Sequence, residues 1–243
     1  MIFVTSWDDG HPLDERVAEL LERFGLRGTF FIPSRNREHR PVIGSAALRD
    51  VDARFEIGSH TLDHTYLTRL ESRACEAQIQ RGKDSLEQLI GHRVNGFSYP
   101  GGKYSKRVAR CVKKAGFRYA RTAENLRFDI GGDLFAMPTT LQLYPHGQNV
   151  LLRNFIRYGN YGKRYTALRL VAHRHNYWDR LLQLVEVSMG TDRIVHLWGH
   201  SWEIDEQRLW RDLAKLLNAV AVLRPPVSTI AGVATAESTL ADE

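Results

Sequence analysis

The chain alternates short apolar runs with longer stretches in which apolar residues recur at helical spacing. Residues 2–7 (IFVTSW) form a compact apolar run that stops at Asp-Asp-Gly. Residues 13–24 carry Leu13, Val17, Leu20, Leu21 and Phe24 on one helical face, with Gly25 as a stop. The run 28–32 (GTFFI), closed by Pro33, predicts a second strand, and a short helix at 45–52 leads to a third strand at 54–58. The same reading predicts a helix over about 70–90 ended by Gly91, a strand at 95–99, a helix at 105–115 and a strand at 117–121. Residues 122–147, with Gly131, Gly132, Pro138 and Pro145, read as irregular. Helices are expected at roughly 148–158 and 166–189, a strand at 193–198 (RIVHLW) and a final helix at 205–222. The small, polar tail from about 232 to 243 is expected to fray.

Such β-α alternation predicts an α/β fold, a parallel sheet with helices outside. Open doubly wound sheets and closed barrels both fit, and in both the functional residues gather at the C-terminal ends of the strands. The length suits one domain over 1–243. Neither GxGxxG nor GxxxxGK[ST] occurs, which argues against a dinucleotide-binding domain and a P-loop enzyme.

Composition narrows the classes further. A hydrophobic share of 43% and a charged share of 26% are ordinary for a globular protein, and no apolar run reaches the length of a membrane span. Met1 leads straight into the first strand with no basic and apolar leader before it. Cys75 and Cys111 form no CxxC pair and read as free thiols. A cytoplasmic location is expected on both counts. The net charge is +6, with basic residues spread over Arg35, Arg37 and Arg40, over Arg107, Arg110, Lys113 and Lys114, and over Arg153, Arg157, Lys163, Arg164 and Arg169. This reads as solvated surface charge, and without clustered cations and stacking aromatics no nucleic-acid partner is expected. Nothing in the sequence sets an oligomeric state.

Three segments carry candidate chemistry. Asp8 and Asp9 close the first strand, and two adjacent carboxylates there either form a solvated turn or enter a pocket where one holds a cation or a proton. His60 and His64, in GSHTLDHTYL, are four residues apart, a spacing that puts both imidazoles on one face of a helical turn. A carboxylate from Asp9 or Asp8 would complete a His-His-carboxylate set with an open coordination position, the arrangement of catalytic metal sites. In RIVHLWGHSW, His196, Trp198 and His200 share one strand face, with His196 deeper and His200 at the strand's C-terminal end.

Taken in order, these segments resemble the polysaccharide deacetylases with a NodB-homology domain, carbohydrate esterase family four. TSWDDG at 5–10 is similar to that family's TFDDG opening, SHTLDH at 59–64 to its HxxxH motif, FSYPGG at 97–102 to its proline motif and HLWGH at 196–200 to its last histidine motif, while GTFFIP at 28–33 resembles its second strand. The resemblance implies a distorted or incomplete parallel β/α barrel, TIM-like, of seven or eight strands. It implies a metal-dependent hydrolase that removes acetyl groups from N-acetylated sugars, with one divalent ion, zinc, held by Asp9, His60 and His64. Asp8 would be the general base, His200 the general acid, and the amide near Gly101 an oxyanion donor. Trp198 would line the acetyl-methyl pocket, with Tyr99, Pro100 and Trp202 as further substrate-contacting candidates. The family's third motif carries an Arg shortly before the Pro, where this chain has Phe97-Ser98-Tyr99; Arg121, at the end of the next strand, is a candidate substitute. The fourth motif has no recognisable counterpart in 122–147, leaving Asp129, Asp133 and His146 as candidates and Glu203 as an alternative partner for His200. Hydrolysis of a non-sugar amide and a non-catalytic carbohydrate-binding role are the rival readings.

Overall fold

The structure, a computed structural model, describes residues 1–172 and 176–241. Its centre is β1 (Ile2–Asp8), buried along almost its whole length. On one side follow β2 (Thr29–Ile32), β3 (Glu56–Ser59), β4 (Gly96–Ser98) and β5 (Tyr119–Arg121); on the other lie β7 (Ile194–Gly199) and then β6 (Leu141–Gln142). The order β5-β4-β3-β2-β1-β7-β6 is parallel throughout. The eighth strand, β8 (Val227–Ser228), pairs with the start of β1 on the side that β2 takes at its end. The sheet curls until Met137 makes a single parallel bridge to Arg121 of β5, a few residues before Leu141 and Gln142 pair with β7. The result is the distorted, incomplete α/β barrel that the resemblance implies.

Helices α1 (Asp14–Arg23), α2 (Ser45–Asp52), α3 (Ser72–Ile90) and α4 (Lys106–Lys114) cover the outer face between successive strands. Each buries its apolar stripe, as Val17, Ala18 and Leu21 of α1 do. Gly91, at φ +83, closes α3 in the left-handed conformation that glycine adopts without strain. The stretch expected as one helix over 166–189 divides into α6 (Tyr161–Ala172) and α7 (Tyr177–Glu186), with the Asn176 side chain accepting from Trp178 N to cap the second. Residues 173–175 lie outside the described residues. The final helix divides likewise into α8 (Ser201–Glu206) and α9 (Trp210–Leu223). Before them, α5 (Gln148–Tyr158) follows β6.

The tail departs from expectation. Of the tail from about 232 to 243, read as frayed, residues 232–241 belong to α10 (Ile230–Ala241), and 242–243 lie outside the described residues. Ile230, Val233 and Ala234 are buried and pack on Val4, Phe31, Tyr119, Ile130 and Met137 inside the barrel. Two amides of the first turn find side-chain acceptors, Ile230 N on Thr29 Oγ1 at 3.2 Å and Ala231 N on Glu56 Oε2 at 3.2 Å. A carboxylate at a helix N-terminus also complements its dipole.

The loop between His60 and His64 is a tight turn, not the helical turn that its spacing suggested. Thr61 and His64 both take left-handed φ values, +73 and +56, so helical hydrogen bonding cannot propagate through them. The turn is held from two sides. Amides of Ser34, Arg35 and Arg37 donate to the carbonyls of Thr61, Leu62 and Asp63, and Leu62 N donates to Gln78 O of α3. Helix α3 approaches so closely that a Cβ on Gly82 would lie 2.6 Å from Thr61 C and 2.7 Å from Leu62 N. Gly82→Ala is therefore expected to destabilise the protein by about 1–3 kcal/mol, the scale of overpacking against rigid backbone, whereas exposed Gln80→Ala on the same helix should be near neutral. Thermal melts of the two variants test this; equal melting temperatures would show that the turn yields freely.

Candidate active site

The C-terminal ends of β1, β3, β4, β5 and β7 converge on one cluster. Alternation along β1 would send Asp8 and Asp9 to opposite faces. Asp9 escapes that by taking φ +77, and Gly10 continues at φ +58, so the turn carries both carboxyl groups inward. Such a conformation is unusual for a non-glycine residue and is maintained only where the surroundings over-determine it. Here Ile32 presses on the turn: a Cβ on Gly10 would lie 2.9 Å from Ile32 Cγ2.

Each carboxylate has its own partners. Asp8, buried, accepts from the Arg121 guanidinium at Oδ1 and from Ser98 Oγ at 3.4 Å. Arg121 is itself buried, donates to Ser98 Oγ at 2.8 Å, and lies over the Trp198 ring at 4.9 Å. Ser98 and Arg121 are register partners on β4 and β5, so the strand pairing delivers the guanidinium to the position. Burial pushes Asp8 up, but Arg121, His60 and His200 outweigh it and hold the carboxyl down at about 2. Asp9 faces the histidines. Its Oδ1 lies 3.6 Å from His60 Nε2 and 3.2 Å from His64 Nε2 and has no hydrogen-bond partner, while Oδ2 accepts from Trp202 Nε1 at 2.9 Å. Burial raises Asp9 too, and His200, His60 and His64 hold it below the ordinary carboxylate value.

The imidazoles are oriented for lone-pair donation. His60 Nδ1 lies 2.8 Å from the Ser98 carbonyl, which can only accept, so Nδ1 carries the proton and Nε2 turns its lone pair toward Asp9. Burial drives His60 down to about 4, favouring the neutral form that a metal needs. His64 presents Nε2 to the same oxygen and lies 3.5 Å from Glu38 Oε1 through Nδ1. One donor atom from each of Asp9, His60 and His64 falls within 4.8 Å of the others, and all three residues are buried.

His200 stands at the mouth, as N-terminal cap of α8, with Nδ1 2.6 Å from Glu203 Oε2 and Nε2 3.9 Å from Asp9 Oδ2. Burial lowers its proton affinity, yet the Glu203 hydrogen bond, with Asp9 and Asp8 nearby, raises it to about 9. Glu203 also accepts from Gln142 Nε2 at 2.9 Å, and Gln142 Oε1 lies 2.9 Å from His146 Nε2. His196 sits deeper, buried against Ser6 Oγ at 2.8 Å, and is driven down to about 3 by burial and by Arg121.

A cavity of about 320 Å³ opens beside these groups and is lined by Asp8, Gly101, Trp198, His200 and Glu203 among others. Gly101 is exposed there at φ +61, in the short turn Pro100–Gly102 that starts on buried Pro100. The structure does not bring Tyr99 into the cavity: the ring is buried and its hydroxyl donates to Phe135 O at 2.9 Å. Trp202 reaches the site through Asp9 rather than through the cavity wall, with Arg40 stacked 3.3 Å over its ring. Of the candidates for a fourth-motif partner, exposed Asp129 pairs with Arg127 and exposed Asp133 lies at a turn, whereas Glu203 holds His200 and His146 lines the cavity. Gln142 escaped the sequence reading because β6 lay in a stretch without periodicity.

Residues 2–120 match the profile of the polysaccharide deacetylase family. A peptidoglycan-N-acetylglucosamine deacetylase of Bacillus cereus is 27% identical over 119 residues, covering 48% of this chain and 54% of the relative. The chain spans about half the length of the curated relatives it matches, 43% and 54% of the first two. A putative polysaccharide deacetylase from Mycobacterium smegmatis superposes with a TM-score of 0.66 at 14% identity, over 98% of this chain and 91% of that one. A carbohydrate esterase family four pseudoenzyme from Bacillus anthracis superposes at 0.59 with 16% identity, over 96% and 65%. At such identities the superpositions establish the fold, and the chemistry rests on the residues themselves.

The Asp8–Arg121 pair makes a prediction about stability. Asp8 titrates lower in the folded protein, about 2, than its ordinary 3.8. Its contribution to stability is thus fully present above 3.8 and lost as pH falls through about 2. Removing the guanidinium strands a buried carboxylate, at a cost of about 3–5 kcal/mol. Arg121→Leu should lose that much at neutral pH, and the gap to wild type should narrow as acid protonates Asp8. Urea unfolding across a pH series measures this; a pH-independent gap would mean that Arg121 acts by packing alone.

Proposed function

We propose that this protein is a metal-dependent hydrolase that removes acetyl groups from N-acetylated sugars. The observation that carries the reading is Asp9 Oδ1, a buried carboxylate oxygen without a hydrogen-bond partner, facing the Nε2 atoms of His60 and His64 at 3.6 and 3.2 Å. Buried polar atoms are otherwise almost always satisfied. One carboxylate oxygen and two imidazole nitrogens are the donor set of a divalent cation such as zinc, with coordination positions left over for water and substrate. When bound, that ion polarises the acetyl carbonyl and makes a water more acidic.

The chain's own groups supply the remainder. Asp8 is ionised, has Oδ1 engaged by Arg121, and has Oδ2, which accepts only a long 3.4 Å hydrogen bond from Ser98 Oγ, to take a proton from the attacking water. His200, protonated at neutral pH with Glu203 fixing Nδ1, presents Nε2 as the acid for the leaving nitrogen. An amine leaves readily only once protonated. The two groups titrate on opposite sides of neutrality, the pattern expected of a base and an acid working together. The Gly101 amide would hold the developing oxyanion, and Trp198 would wall the acetyl methyl. A protein that merely binds carbohydrate has no use for such an opposed pair, which favours the catalytic reading.

Two experiments test this. Metal analysis of purified wild type and His60→Ala should find about one divalent ion in the former and a clear deficit in the latter, whereas Asp8→Asn should keep the ion while acetate release from N-acetylglucosamine oligomers falls at least about a hundredfold. Equal metal in wild type and His60→Ala would remove the site. The second separates the two strand histidines. His200→Ala should abolish turnover with the melting temperature nearly intact, while His196→Ala, which loses the buried Ser6 contact, should lower the melting temperature and leave turnover of the folded fraction measurable. An inactive but fully stable His196→Ala would move the acid to that position.

A further inference from the structure

The basic residues that read as scattered are unevenly distributed. Between Leu134 and Trp178 the sequence has no Asp or Glu and six Lys or Arg, while the rest of the chain has 28 of each sign. The whole net charge of +6 therefore resides in this one segment. The segment includes α5 and α6, and α5 forms one wall of the cavity beside Asp8 and His200. Arg153 and Arg157, four residues apart on α5, both line that cavity and are exposed. Neither has an ion pair among the described residues. The cavity's two acids are already engaged, Asp8 by Arg121 and Glu203 by His200.

The wall that carries these arginines is built, not loose. Arg164 of α6 is fully buried and donates to the carbonyls of Asn154, Phe155 and Gly159 at the end of α5. The same guanidinium donates to the Asn125 carbonyl and to Asn125 Oδ1, each at 2.7 Å, and Asn125 also lines the cavity. One cation thus ties the end of α5 to Asn125 of the cavity lining, and Arg153 and Arg157 stand on the helix so anchored. Paired guanidinia on a rigid wall suit an anionic oxygen cluster, because their planar N–H forks match phosphate and carboxylate geometry.

We propose that the substrate is an anionic N-acetyl sugar whose phosphate or carboxylate group is held by Arg153 and Arg157 while its acetyl group faces Asp8 and His200. This rests on the deacetylase reading, and it names the substrate class for that site. Neutral polymers gain nothing from the arginines; an acidic sugar gains charge-assisted hydrogen bonds with little competition from acidic side chains. The cavity, at about 320 Å³, lies at the small end of ligand sites, in keeping with recognition of a single substituted sugar unit.

The test compares acetate release by the metal-loaded protein from three probes: neutral N-acetylglucosamine, N-acetylglucosamine 6-phosphate and N-acetylmuramic acid. Wild type should favour at least one of the two acidic probes by about tenfold or more in kcat/KM, the scale of charge-assisted contacts, and the phosphate and carboxylate arms distinguish which anion is read. Arg153→Ala/Arg157→Ala should erase most of that preference, and Arg153→Lys/Arg157→Lys should keep part of it, with unchanged melting temperatures confirming the fold. A neutral preference in wild type, or an acidic preference that survives the double alanine variant, overturns the proposal. If no probe releases acetate, equilibrium dialysis of the same probes separates the two ideas. Binding of an acidic probe that is about tenfold weaker in the double alanine variant keeps the anion site while the deacetylase reading fails; equal or absent binding removes the anion site as well.

Discussion

Two neighbouring carboxylates buried at the end of one strand repel each other and are expensive to desolvate, and the rest of the site follows from how that cost is met. Asp8 and Asp9 both feel His60 and His200, but each has a partner of its own. Asp8 takes a fixed guanidinium, Arg121, backed by Ser98. Asp9 takes two imidazoles, a tryptophan N–H and one oxygen left without a hydrogen bond. A permanent cation on one acid and an open donor set on the other give adjacent residues different chemistry. The guanidinium favours the ionised form of the first, and the second turns an oxygen without a hydrogen bond toward two imidazoles. The left-handed backbone at Asp9 is the conformational cost of bringing them together.

Much of this was legible in the sequence. The period of apolar residues located the main strands to within about two residues, and motif order placed Asp8, Asp9, His60, His64 and His200 at one mouth. Arg121 was accessible as a candidate because it ends a strand, although only the register of β4 with β5 shows why it reaches Asp8: it stands beside Ser98, on the strand that carries the proline motif. From β5 its guanidinium reaches the Asp8 carboxylate. What stayed illegible depends on partners distant in sequence. Helix α10 looked frayed because its residues are small, yet small residues are what fit inside a closing barrel, and its first amides are satisfied by Thr29 and Glu56, some 200 and 175 positions away. Tyr99 looked like a site residue from its place beside Pro100, but strand alternation turns its ring into the core.

The His200 neighbourhood shows the same dependence on non-local contacts. Glu203 is three residues away and could be found by spacing, but Gln142, which shares its Oε2, comes from a two-residue strand in a stretch with no periodicity. Glutamine there has a physical rationale. Its amide N–H satisfies a second lone pair of Glu203 without adding a charge, so the carboxylate remains available to raise the proton affinity of His200. Its carbonyl oxygen is then committed to His146 at the cavity wall. An acidic residue at that position would pair two carboxylates, and a cation would compete with His200 for Glu203.

The mouth and the wall that encloses it come from different parts of the fold. The residues proposed as acid, base and metal ligands lie at or just beyond strand ends, whose geometry is fixed by the barrel itself. The cavity wall comes from α5 and α6, which the matched family segment, ending at residue 120, does not include. Strand ends can therefore keep one reaction while the helical wall changes what is admitted to it. In this chain the wall has no acidic residue and is tied down by a buried arginine whose donors are spent on backbone carbonyls and one asparagine. Arg164 is a structural cation, and its burial is tolerable only because those oxygens surround it. That leaves Arg153 and Arg157 as the cations of α5 that line the cavity, neither with an ion pair among the described residues, so their positive charge is unmatched where a ligand would enter.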